Sequence, residues 1–186
     1  MWCQLFLYHI NPWENRKQLF EQVGVQFQES NYPDKIRVRE LCEETACLYR
    51  QPSSYGELLQ KFGLADKREA FVSELSGGQK QKLFIVLALI PNPKVAFLDE
   101  LTTGLDTKAR RGVWKSLQEL KEQGLTIFLS SHFMDEVEIL CDRIGILKDG
   151  RFVFEGTVQE AVDLSPYERL EDVYLWFTGE EETGDE

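Results

Sequence analysis

The chain has 186 residues, 42% of them hydrophobic, and a formal net charge of −11. That length suffices for one domain with a real core and a small second lobe. The acidic balance excludes a general nucleic-acid binder, even though five negative charges sit in the closing "EEETGDE" and leave about −6 for the rest.

Cys3, Cys42, Cys47 and Cys141 form no C-x-x-C pair and have no histidine at ligand spacing, which predicts a reduced, cytosolic protein without a zinc site. The opening run "MWCQLFLYHI" is apolar but lacks a basic start and is stopped by Asn11-Pro12. It falls well short of the roughly 20 residues a membrane span needs, so neither a transmembrane helix nor a signal peptide is expected. "QVGVQFQ" (22–28) alternates Val23, Val25 and Phe27 and reads as a strand. Residues 38–63 read as helix, with Val38, Leu41 and Leu48 on one face, then Tyr55, Leu58, Leu59 and Phe62 at helical spacing, and Gly63 as the stop.

In "SELSGGQKQK" (73–82), Ser76 and Gln79 make the S-x-x-Q pattern of a capping box, with two glycines between them. The helix so opened runs into "LFIVLALI", apolar all round and therefore buried, and is ended by Pro91 and Pro93. "VAFLDE" (95–100) and "TIFLSSH" (126–132) are apolar strands separated by the amphipathic "TKARRGVWKSLQELKEQG", which is the pattern of a βαβ unit in a parallel sheet. "IGILKDGRFVFEG" reads as a hairpin turning at Asp149-Gly150. Two capped helices are expected after it, opened by Thr157-x-x-Glu160 and by Ser165-Pro166-x-Glu168. Residues 179–186 read as a solvated, disordered acidic tail.

The polar residues fall where such a fold does chemistry. A helix start with free N–H groups holds a phosphate without a basic side chain, and glycines let the ligand reach the backbone. Asp99 and Glu100 close a strand at its carboxyl end, where parallel sheets bind ligands. One carboxylate there can hold Mg²⁺ while its neighbour polarises an attacking water. His132 closes the next strand, and Gln28 the earlier one, within reach of a metal or that water. Singly each is weak: an Asp-Glu pair after a strand is usually a surface turn, and a lone histidine is usually structural. Their ordered combination leaves the bland reading little room.

As an ordered set these residues resemble the ATP-binding domain of ABC transporters. "LSGGQ" (75–79) is similar to the family's signature motif, "VAFLDE" to its Walker B strand, "TTGLD" (102–106) to its D-loop, His132 to its switch histidine and "VGVQFQES" to the strand entering its Q-loop. Leu101 and Thr107 stand where the family often has proline. The resemblance spans residues 11–178 and implies a P-loop NTPase (RecA-like) α/β core of parallel strands, with a helical subdomain inserted at about 33–85. It implies ATP and Mg²⁺ as cofactors. Asp99 and Gln28 would be the metal contacts, Glu100 the general base and His132 the γ-phosphate sensor. Ser76, Gly77, Gly78, Gln79, Gln28 and Asp106 would contact nucleotide. It further implies a head-to-tail dimer with a second ATP-binding subunit, transmembrane permease subunits as partners, and a cytoplasmic place on the inner face of the membrane. In such a dimer Ser76, Gly77 and Gly78 face the γ-phosphate of a nucleotide seated on the opposite subunit.

The family's P-loop, G-x-x-x-x-G-K-[ST], is missing, since no Gly-Lys pair occurs in the chain. Residues 1–10 do not look like family sequence. The expectation is an incomplete core in which Val95–Leu98 are partly unpaired for want of the P-loop strand, with "CQLFLYHI" a poor substitute. The function expected is that of a partial ATP-binding subunit coupling hydrolysis to transport, inactive alone, with drug or antibiotic export suggested by the ending "YERLEDVYLWFTG". The alternative is a non-catalytic partner that donates only its signature helix. A DNA-repair or chromosome-organising ATPase is disfavoured, because the roughly 47 residues from Gln28 to Leu75 hold no sustained heptads.

Overall fold

The structure is a computed structural model that describes residues 14–27, 32 and 35–180. Its contacts divide the chain into a unit up to Ser130 and a unit from Ser131 onward. In the first unit, β1 (Val23–Gln26), β2 (Val95–Asp99) and β3 (Thr126–Ser130) form a parallel sheet in the order β1-β2-β3. Val25, Phe97 and Phe128 lie in one row across it. The crossover between β2 and β3 is α5 (Thr107–Glu122). The buried helix α4 (Gly77–Leu89) covers one face of the sheet. Its approach to β1 depends on Gly24, where a Cβ would sit 2.0 Å from the Ala88 carbonyl oxygen.

Val95–Leu98 are not left unpaired, contrary to expectation: β2 is the middle strand, bonded to β1 and β3 along its length. The α5 crossover returns the chain beside β2, so β3 occupies the side that the expectation left open. The open side falls instead on β3, beyond which no strand lies among the described residues. Phe128 on that strand is 63% exposed.

The expected helix over 38–63 is two helices, α2 (Val38–Cys47) and α3 (Tyr55–Lys61). The apolar spacing continues across the gap, but Pro52 lies in it and Ser54 caps α3, its hydroxyl accepting from the Glu57 N–H. Leu48, expected on the buried face, is 76% exposed. Leu58, Leu59, Phe62 and Leu64 are buried, as are Leu83, Ile85, Val86 and Ile90 of the α4 region, each contributing about 1.5–3 kcal/mol. Gly63 ends α3 with φ +68°. A preceding helix, α1 (Arg16–Phe20), leads into β1.

The second unit holds α6 (Met134–Leu140), the antiparallel hairpin β4 (Ile144–Lys148) and β5 (Arg151–Gly156), then α7 (Val158–Leu164) and α8 (Leu170–Thr178). Asp149 and Gly150 both have positive φ, as a two-residue hairpin turn of this hand requires. The core is Ala161, Leu170 and Val173, packed by Met134, Val137, Ile144, Phe154 and Phe177. Thr157 and Glu160 form the expected capping box. Ser165 does not open a helix: its hydroxyl donates to the Val162 carbonyl and accepts from the Tyr167 N–H, closing α7, and α8 begins at Leu170.

Candidate functional site

The start of α4 is built by four residues. The Gln79 N–H donates to Ser76 Oγ at 3.3 Å, and the Ser76 N–H donates to Gln79 Oε1 at 2.9 Å. The box therefore occupies those two donors and leaves the Gly77 and Gly78 N–H groups without an acceptor among the described residues. Ser76 Oγ accepts in the box yet keeps its own proton to donate. Nothing lies within 4 Å of where a Gly77 Cβ would be, so this turn is open to a ligand. A Cβ on Gly78 would meet Leu105 Cδ2 at 3.0 Å, so the helix start rests on the loop after β2.

Asp99 ends β2 and Glu100 begins the turn that follows. Glu100 has φ +45°. Asn92 and Asp149, the other non-glycine residues with positive φ among the described ones, are of types that tolerate it, and glutamate is not. Such a conformation costs about 1–2 kcal/mol and persists only where its surroundings hold it. Here the Glu100 N–H donates to the Ser130 carbonyl at 3.1 Å, and Gln81 Nε2 donates to the carbonyls of Glu100 at 3.2 Å and Leu101 at 3.1 Å. Gln26 Oε1 accepts from the Asp99 N–H at 3.1 Å while its Nε2 donates to the Phe27 carbonyl at 2.8 Å. Ser130 Oγ donates to Asp99 Oδ1, and Thr103 Oγ1 to Glu100 Oε2.

Asp106 is exposed and caps α5, its Oδ1 accepting from the Ala109 N–H at 2.8 Å. The first unit thus brings together Ser76–Gln79, Asp99, Glu100 and Asp106 on two helix starts and the turn between β2 and α5. Gln28 lies outside the described residues. His132 belongs to the second unit, exposed, its ring 4.1 Å from that of Phe133. Its loop is held by a fully buried carboxylate: Ser131 Oγ donates to Glu136 Oε2 at 2.6 Å and accepts from the Phe133 N–H.

A family model described as ABC transporter matches residues 6–103, more than half of the chain. The chain belongs to the ABC transporter family. It is 46% identical over 106 residues to a Nod factor export ATP-binding protein I of Rhizobium etli, covering 57% of this chain and 34% of that protein. It is 44% identical over 105 residues to the methionine import ATP-binding protein MetN 3 of Pectobacterium atrosepticum, covering 56% and 31%. The chain spans about a third of the length of these curated relatives. A solved ATP binding subunit of an ABC transporter matches the fold with a TM-score of 0.82 at 24% identity, over 92% of this chain and 75% of that one. The dimeric structure of MJ0796, a bacterial ABC transporter cassette, matches with a TM-score of 0.69 at 26% identity, over 80% and 68%. The P-loop NTPase fold class expected from the sequence is the one observed.

Within this ABC fold, the described residues hold no group of three His, Cys, Asp or Glu able to cage a metal. Mg²⁺ needs no such cage, since it binds through one or two carboxylates and completes its shell with substrate phosphates and water. Asp99, exposed at the strand end, is the carboxylate among the described residues placed to make such a contact. Two residues that sequence reasoning missed are Gln26 and Gln81. Both are buried, and each aims its amide at the backbone that carries the two carboxylates. A third is Glu136 behind His132.

Proposed function

We propose that this chain is an ATP-binding subunit of an ABC transporter that works on nucleotide only with a P-loop-bearing partner. The observation that carries the reading is the start of α4, at the positive end of a 13-residue helix, where the Gly77 and Gly78 N–H groups have no acceptor among the described residues and the turn is open at Gly77. There Ser76, Gly77, Gly78 and Gln79 would grip the γ-phosphate of ATP seated on the opposite subunit of a head-to-tail dimer. Mg²⁺ bound with the nucleotide would neutralise phosphate charge, and Asp99 with Gln28 would hold it. Glu100 takes a proton from the attacking water, His132 senses the γ-phosphate, and Asp106 touches the neighbouring nucleotide site.

The remaining parts of the reading are a helical subdomain at about 33–85, transmembrane permease subunits as partners coupled through Gln28, and a peripheral place on the cytoplasmic face of the membrane. No described helix is long and apolar enough to cross one. Export of an organic cargo, drug or antibiotic, is the direction we favour, from the likeness of the C-terminal segment to exporters. A second reading is a non-catalytic partner that lends only its α4 start to an intact ATPase subunit.

Calorimetry and phosphate release test both. Alone, the chain should bind Mg-ATP no better than about millimolar, near −4 kcal/mol, and show no turnover. Mixed with a P-loop-bearing subunit it should form an ATP-dependent dimer. Micromolar binding, or turnover by the chain alone that Glu100→Gln abolishes, would overturn the reading.

A further inference from the structure

We propose that Gln81 is a positioning residue for Glu100, fixing the left-handed turn that presents this carboxylate from the same helix that Ser76 caps. The proposal rests on the role given to Glu100 above for its meaning, but not for its test. Gln81 is 8% exposed and lies on α4, five residues after Ser76 along one helix. Its amide faces two carbonyl oxygens, those of Glu100 and Leu101, at 3.2 and 3.1 Å. Only the nitrogen end of an amide can face two acceptors, since the oxygen end would be repelled by both.

The bond to Leu101 is the more telling. The Glu100 carbonyl also accepts from the Thr103 N–H at 3.2 Å, within the turn itself, whereas Leu101 is fully buried and the bond to its carbonyl comes from α4. Buried carbonyls without a donor are rare, so a side chain at position 81 that cannot donate should let the turn relax. Glu100 would then leave a φ that glutamate does not favour. Gln26 acts on the preceding residue through the Asp99 N–H, so the two amides hold consecutive residues from β1 and from α4.

The experiment follows backbone carbonyl ¹³C and amide ¹⁵N resonances in the labelled full chain without nucleotide. Gln81→Met keeps the volume and removes the donor. It should move the Glu100 and Leu101 carbonyl resonances upfield, as lost hydrogen bonds do, and lower the thermal midpoint by a few degrees, as an unsatisfied buried carbonyl does. Gln81→Glu keeps the shape, and its introduced carboxyl can donate only when protonated. The same shifts should therefore appear with the carboxyl ionised, and as the pH falls through its titration its single O–H should restore one of the two carbonyls, a reversal that a side chain merely filling space at position 81 would not produce. Gln26→Met should move the Asp99 amide and leave the Leu101 carbonyl in place. Glu100 and Leu101 carbonyls unmoved in Gln81→Met, or shifts in Gln81→Glu that ignore pH, would overturn the proposal. If Gln81→Met does not fold, the two pH states of Gln81→Glu decide the matter. A chain that fails to bind nucleotide with any partner would sink the functional reading and leave these resonances as they are.

Discussion

A Cβ on Gly77 would enter open space, whereas one on Gly78 would press on Leu105 at 3.0 Å and one on Gly24 would meet the Ala88 carbonyl oxygen at 2.0 Å. Three glycines therefore predict three different outcomes. Gly24→Ala forces α4 away from β1 and should cost about 3 kcal/mol or more in urea denaturation, the upper range for overpacking. Gly78→Ala should cost less, since Leu105 can shift. Gly77→Asp should leave stability within about 0.5 kcal/mol, as for ordinary surface changes, yet abolish ATP-driven dimerisation with an intact subunit. Unchanged dimerisation in analytical ultracentrifugation would count against a phosphate at this turn. The cysteines offer a second check: Cys42 is fully buried and its thiol is pushed up to about 12 by burial, while Cys47 is exposed. Alkylation of the folded chain near pH 8 should label Cys47 and spare Cys42 until denaturant is added. At this scale the sequence was legible where partners are near in the chain. Ser76 and Gln79 are three residues apart and their box was readable. Gln81 and Gln26 bond to residues 19 and 73 positions away, and no local pattern announces that.

Among the elements, α7 shows what a cap contributes. The Glu160 carboxyl is held below its ordinary range first by the Thr157 backbone N–H and then by the Thr157 hydroxyl. A depressed carboxylate adds stability that is present above its unfolded pKa and lost as pH falls through the lower folded value. Thr157→Ala removes the cap oxygen that accepts from the Glu160 N–H and, as for helix caps generally, should cost about 1 kcal/mol at pH 7. It should also flatten the acid limb of the stability curve, which denaturation at pH 7 and at about pH 3 would show. The helices of the first unit show the limit of pattern reading. Periodicity joined Leu48 to Tyr55 because spacing alone cannot see a break that Pro52 and the Ser54 cap impose. Ser165-Pro166 misled in the opposite way: the residue types that start a helix also finish one, and the direction is set by which backbone groups lack partners, here the Val162 carbonyl.

For the molecule as a whole, the α/β class and the family were legible, because βαβ alternation and an ordered motif set are properties of the chain read in one direction. The side-to-side order of the strands was not, since nothing in the sequence of a parallel sheet says which strand lies in the middle. That is why the unpaired side was expected at β2 and, among the described residues, falls at β3. The same feature bears on how the protein behaves in a test tube. Thr126–Ser130 carries no lysine, glutamate or proline among its five residues, the devices that keep strand margins from recruiting other molecules. Among the described residues of the first unit, its outer backbone groups have no strand beside them, next to an exposed phenylalanine. Purified at high concentration, the chain should therefore self-associate progressively on warming. Phe128→Lys should delay the rise in light scattering while leaving the unfolding midpoint nearly unchanged, and equal scattering by both proteins would place the sticky surface elsewhere.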